Sequence, residues 1–288
     1  MANAGKVITA TLEDADKQAA RLTELFVRAE KEINDKLLRL LAKGKGKGYT
    51  AKQLRKQKAA IRSILADLSE RAADRTKRLT ETAYYSGVKV AEKQLAAAEI
   101  RLLGKMGGIN AKVVKAYSSQ LQSRIADVIT AAGRSVTDIY KIIDINRALA
   151  GPLAGYESIT ERERQILDRV ENGEGIIGFI DSSGRAWNME RYVEMLSRTA
   201  TMKLYNEAKR NEFVAHREDL VIVSEHPNCC EDCAPYNGAI LSLTGSTEGY
   251  ETLDEAEAQG LFHPNCRHTY DLYIDENNPE LGIIEEEE

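Results

Sequence analysis

Four residues in the last third of the chain have the types and spacing to hold a metal ion. Cys230 and Cys233 form a C-x2-C pair, and His263 and Cys266 form an H-x2-C pair. Two donors separated by two residues can close a tight turn whose side chains converge on one ion, while backbone amides stabilise the thiolates. The second pair follows after 29 intervening residues and completes a tetrahedron. Zinc suits mixed sulfur and imidazole donors, and four protein donors leave no position open for a substrate. The expected cofactor is therefore a structural Zn2+ that locks a loop-rich region whose core would otherwise be thin.

The ligand set has competitors. Cys229 stands beside Cys230, but only Cys230 gives the two-residue spacing. His268 competes with His263 for the imidazole place, and His226 is a third candidate, read here as a hydrogen-bonded loop residue. The bland alternative is that the cysteines are simply small buried residues. All four cysteines fall between 229 and 266, and such crowding argues for metal before disulfide. A hydrolytic zinc needs an open position and a nearby base. Glu231, Asp232 and His268 are near in sequence, but neither H-E-x-x-H nor H-x-E with P-C-x-x-C occurs. No catalytic residue is assigned, and the chain is not expected to be an enzyme.

The elements that must position these residues follow from periodicity. Leu22, Phe26, Ala29, Ile33, Leu37 and Leu40 keep a three-four rhythm and predict a helix over about 12–42. Lys43 to Gly48 alternates lysine with glycine and ends it. A second helix starts near Thr50, carries Leu54, Ile61, Leu65, Leu68 and Leu79, and is expected to reach about Leu103. A third runs from about Ala111 to Ala150, with Gly133 as an interruption. Beyond Pro152 the composition changes. A short helix opens at Ser158, a hairpin spans Gly175 to Trp187 with Asp181 to Gly184 in its turn, and a helix covers Met189 to about His216. Leu220-Val-Ile-Val-Ser reads as a buried strand, and Tyr270 to Ile274 as a closing one. The fold class is thus mainly α with a smaller α+β C-terminal head. Residues 1–150 would form a basic helical arm, and residues 151–288 a head with the metal knuckle and an acidic tail.

Charge divides the chain at the same place. Residues 1–150 hold 29 basic and 16 acidic side chains, and the rest holds 11 and 29. The halves are therefore expected to face different partners. Lys43 to Arg62 carries eight basic residues and no acidic one. That run is either a solvated helix face or a salt-sensitive, sequence-independent contact to packaged DNA or an acidic partner. Tyr49 is its one aromatic, so base stacking is not supported. The first twenty residues lack an apolar core segment, and no stretch nears the roughly 20 apolar residues of a membrane span. A soluble chain without membrane contact is expected.

In order, the residues resemble a known family. Gly184-Arg-Ala-Trp187 precedes a helix with Tyr192, Met195, Arg198 and Thr199. Ser224-x-His226 then leads to Cys-x-x-Cys with Pro235 and Gly238, and to Gly260-Leu-Phe-His-Pro-Asn-Cys-Arg-His268. Over about residues 174–274 this resembles the tailed-phage minor capsid, or head-morphogenesis, proteins of the Mu protein F-like type. The resemblance implies a virion assembly protein present in few copies, associated with the portal or the inner capsid wall and in the host cytoplasm during assembly. The portal and/or major capsid protein would be its partners, with the basic arm near packaged DNA. No appended enzyme is expected after residue 274. Metal binding rests on the spacing in this sequence, because members of the family vary in the knuckle. Two other classes remain: a zinc-dependent enzyme such as a nuclease, and a DNA-binding regulator using the knuckle as a finger. The acidic charge of the knuckle-bearing half disfavours the regulator.

Overall fold

The computed structural model describes residues 2–44, 50–101, 107–148, 168, 172, 177–180, 184–275, 277–278 and 281–284. Three long helices come first: α1 (Ala2–Gly44), α2 (Ala51–Ala97) and α3 (Gly107–Ala148). A hairpin of β1 (Ile177–Ile180) and β2 (Ala186–Asn188) leads into α4 (Met189–Ala215). Then come β3 (Leu220–Val223), a 3-10 turn at Ala234–Tyr236, β4 (Ile240–Ser242), α5 (Leu253–Ala258) and β5 (Tyr270–Leu272). Mainly helical architecture with a small antiparallel C-terminal region is what the periodicity predicts. The helix expected at Ser158, the turn residues 181–183, the loop residues 45–49 and the last four glutamates lie outside the described residues.

Helix boundaries have local causes. At the start of α2, the Thr50 N–H donates to the Gln53 side chain at 2.9 Å while the Gln53 N–H donates to Thr50 Oγ1 at 3.3 Å, a reciprocal cap. Its end is earlier than the glycines suggest. Glu99 adopts φ 62°, and the Ile100 N–H closes onto the Leu95 carbonyl at 3.0 Å, so a left-handed cap stops the helix without glycine. Arg217, at φ 67°, ends α4 the same way, with the Glu218 N–H on the Phe213 carbonyl at 2.9 Å. Gly133 does not interrupt α3. A Cβ there would meet Leu65 Cδ1 at 3.6 Å, an ordinary contact, and the helix runs through.

The chain forms two compact units, each drawing on both sides of residue 150. One comprises residues 20–76 and 120–194, the other residues 1–19, 77–119 and 195–288. In the first, the stripe Leu22, Phe26, Ile33, Leu37 and Leu40 of α1 is buried, as are Leu54, Ile61, Leu65 and Leu68 of α2. At the start of α4, the Glu190 N–H donates to the Glu30 carboxylate at 3.2 Å, placing an anion at a helix N-terminus. Arg185 lies 4.9 Å over the Trp187 ring, whose neighbour is Tyr192 at 6.3 Å.

The second unit holds the three-stranded antiparallel sheet, ordered β4-β3-β5. Its core gathers Phe213, Val221, Val223, Tyr236, Leu241, Leu243, Leu253, Leu261, Phe262 and Tyr270 with Ala91 and Leu95 of α2. Helices α2 and α4 approach so closely at Gly87 that a Cβ there would lie 2.3 Å from the Tyr205 carbonyl oxygen. Beside β5, Gln94 donates to Asp271 Oδ1 at 2.7 Å and accepts the Leu272 N–H at 3.1 Å. Beside β4, the Ser242 N–H reaches the Glu251 carbonyl at 2.9 Å.

Candidate metal centre

Two turns bring the sequence-predicted donors together. In the first, the Cys233 and Ala234 N–H groups fold back onto the Cys230 carbonyl at 3.2 and 3.0 Å, and Pro235 sits within the 3-10 turn that follows. Gly238 then takes φ 76°, where a Cβ would strike the Glu225 side chain at 2.8 Å. In the second, Phe262 and Asn265 both adopt left-handed backbone, at φ 59° and 66°, and the Cys266 N–H closes on the His263 carbonyl at 2.9 Å. Thr199 of α4 anchors this turn. Its hydroxyl donates to the Met195 carbonyl at 2.8 Å and accepts the Asn265 N–H at 3.2 Å. The motif threonine therefore positions the turn that carries His263 and Cys266.

The donor atoms meet in two overlapping triads, Cys230–Cys233–His263 and Cys233–Cys266–His268, each with all its atoms within 4.8 Å of one another. Cys230 Sγ lies 2.9 Å from His263 Nε2, Cys233 Sγ 3.6 Å from Cys266 Sγ, and Cys266 Sγ 3.4 Å from His268 Nδ1. Bonds of about 2.3 Å to sulfur and about 2.0 Å to nitrogen imply tetrahedral edges of roughly 3.5–3.8 Å. The second and third spacings match that edge, and the first is tighter. The donor set fits a thiophilic ion such as Zn2+. Cys229 is not in either triad, whereas His268 is.

Electrostatics around the cluster point the same way. Burial, with the neighbouring Cys266 and Cys230 thiols, pushes the Cys233 thiol up to about 12. A backbone hydrogen bond from Cys233, helped by His263, pulls the Cys230 thiol below its usual value. Burial, then the charges of His226 and His263, depresses the His268 imidazole and favours its neutral, metal-ligating form. A bound cation would supply the opposite charge that crowded thiols need to ionise. His226 is a satisfied loop residue, as expected. Its backbone N–H donates to Asn237 Oδ1 at 2.7 Å, its ring meets Ser224 Oγ at 3.2 Å, and it packs edge-on against His268 at 4.6 Å. A cavity of about 430 Å3 opens beside the cluster, lined by His226, His263, His268, Asn228 and Arg267.

With the geometry described, comparison with known proteins places the chain. The family model for phage minor capsid protein 2 matches residues 13–283. The chain belongs to this family. The match extends the resemblance seen over residues 174–274 into the long helices. A protein of Lactococcus phage LL-H, described as a structural protein, is 26% identical over 104 residues. That alignment covers 36% of this chain and 25% of the relative. No solved structure matches.

The matched region also contains residues that sequence reasoning missed. Asp219 is fully buried, and its carboxylate accepts from the hydroxyls of Ser242, Thr244 and Thr247 at 2.7, 2.6 and 2.7 Å. The backbone N–H groups of Thr244 and Thr247 add bonds at 2.8 and 3.1 Å. Burial pushes this carboxyl up, but the bonds outweigh it and hold the group below the usual carboxylate range. Lys209 is buried too, donating to Asp271 Oδ1 at 2.8 Å and to the Tyr270 carbonyl. The strand β4 and helix α5 were also unforeseen. The cap of α5 was readable, since Thr252 and Glu255 stand three apart and exchange both capping bonds.

Proposed function

We propose that this chain serves as a minor structural component of the phage particle, stapled by a structural zinc held by Cys230, Cys233, His263 and Cys266. It docks to the portal or the inner capsid wall, and its basic helical face lies near packaged DNA. The observation that carries the reading is the family match, whose span of residues 13–283 takes in the long helices and the Cys/His segment. A particle component needs no open metal position, and a closed set of four protein donors suits a staple. Among the described residues no helix is long and apolar enough to cross a membrane. On α2, Lys52, Arg55, Lys56 and Arg62 are exposed, opposite the buried Leu54, Ile61, Leu65 and Leu68.

The test is co-expression with the portal and major capsid proteins of the same phage, followed by sedimentation of assembled heads. The chain should travel with heads or with isolated portal rings. Its recovery free in the supernatant, with heads forming normally, would sink the docking assignment. The nuclease alternative is tested by incubating the purified protein with plasmid and divalent metals. Intact plasmid is expected, and metal-dependent cleavage would replace the structural reading with an enzymatic one.

A further inference from the structure

The cluster contains one donor more than a single tetrahedral ion uses. Three thiols and two imidazoles take part, and both imidazole tautomers are set by their outer partners. His263 Nδ1 lies 2.8 Å from the Pro264 carbonyl oxygen, which can only accept, so the proton sits there and the Nε2 lone pair faces Cys230. Asn237 Oδ1, already accepting from the His226 N–H, lies 3.4 Å from His268 Nε2. That places the proton on Nε2 and leaves the Nδ1 lone pair facing Cys266. An imidazole whose far nitrogen is bonded to a carbonyl or amide oxygen is oriented as metal ligands are.

The five donors do not form a single group. They fall into an outer triad that includes the exposed Cys230 and an inner triad, Cys233, Cys266 and His268, that is buried throughout, with the Cys233 thiol common to both. We propose that the cluster takes two thiophilic d10 cations bridged by the Cys233 thiolate, with His268 as the imidazole ligand of the inner ion. This deepens the single-zinc reading and rests on its premise that the cluster binds metal. Three thiolates against two divalent ions leave one net positive charge, and the exposed Glu231 and Asp232 flank the cluster in sequence. The third thiol and second imidazole then each have an ion to bind, whereas one ion leaves a buried lone pair beside sulfur without use. With Cys233 shared, each ion has three protein ligands and takes its fourth from the cavity, whose lining includes Cys230 and His263 of the outer triad and Cys266 and His268 of the inner one.

The full chain, reduced and stripped by chelator, is titrated with Cd2+ and the bound ions are counted by native mass spectrometry. Two Cd2+ per chain are expected, with thiolate-to-cadmium absorption rising up to the second equivalent. His268→Gln should bind one. A wild-type count that stays at one in excess Cd2+ overturns the proposal and leaves the single-ion reading in place. Two ions bound by both wild type and His268→Gln also overturn it, by removing His268 from the ligand set. A wild-type count of zero ends both readings. The wild-type count decides even if the variant folds poorly.

Discussion

The two compact units of this chain are held by different means. In the unit of residues 20–76 and 120–194, order comes from a repeated apolar stripe on long helices, in which each residue contributes a little. In the other unit, order around the sheet comes from a few side chains with many directed bonds: the Cys/His cluster, the Asp219 carboxylate and the buried Lys209. Repetition tolerates substitution because neighbours share the load. A hub does not, because losing it strands several buried partners together. The contrast teaches where single changes should matter.

The largest effect is expected at the thiols. Cys233→Ser should remove bound zinc, read by elemental analysis of protein prepared without chelator, where the wild type carries at least one equivalent. The melting temperature should fall by about 10 °C or more, since the loss of several kcal/mol of metal binding converts at about 2–4 °C per kcal/mol. A stoichiometric disulfide without metal in the wild type would break this side of the comparison.

Next comes the carboxylate. Asp219→Ala leaves buried hydroxyl and amide donors without an acceptor and should cost about 3 kcal/mol or more in urea denaturation. The folded carboxyl is held below its unfolded value of about 3.9, so its stabilisation is present above that pH and is lost as pH falls through the lower, folded value. Acid should therefore erode wild-type stability below about pH 4, and Asp219→Asn should flatten that slope. An unchanged slope would remove Asp219 from the hub.

A pair of glycine substitutions sharpens the contrast further. Gly87→Ala should cost about 1–3 kcal/mol, because its Cβ would press on the Tyr205 carbonyl and on Ala208 Cβ at 2.7 Å. Gly133→Ala, in the other unit, should gain up to about 1 kcal/mol from helix propensity with only an ordinary contact to Leu65. Equal effects in thermal melts would erase the distinction. The smallest change in stability is expected for neutralising the exposed Lys52, Arg55 and Lys56 to glutamine, within about 0.5 kcal/mol for surface positions. If this face meets DNA, the wild type binds duplexes of unrelated sequence with a log–log salt slope of about −0.9 per phosphate contact, and the variant binds with a shallower one. Equal binding by both would assign the charge to a protein partner.

Legibility in the sequence followed range of interaction. The buried stripe of α1 and the two turns that present Cys230 with Cys233 and His263 with Cys266 came from spacing, because a helix face and a two-residue turn are local geometries. Asp219 was silent because its acceptors' partners arrive 23 to 28 residues later, from a loop with no pattern of its own. Among metal donors His268 was weighed as a substitute for His263, since spacing counts donors for one ion and does not report that both imidazoles come within reach of the Cys233 thiol. The end of α2 escaped because Glu99 takes a conformation usually read from glycine. Thr199 was seen as one face of a helix, and its bond to the ligand turn spans 66 residues.

The amide of Gln94 has a consequence for assembly. By answering the Leu272 N–H on β5, it stands where the next strand of the sheet would lie, while the backbone of Glu251 does the same for Ser242 on β4. A three-stranded sheet with free borders can zip onto its copies wherever chains crowd together. Here both borders are partly claimed by the chain itself. Association among copies of the chain is thereby steered away from indiscriminate strand pairing.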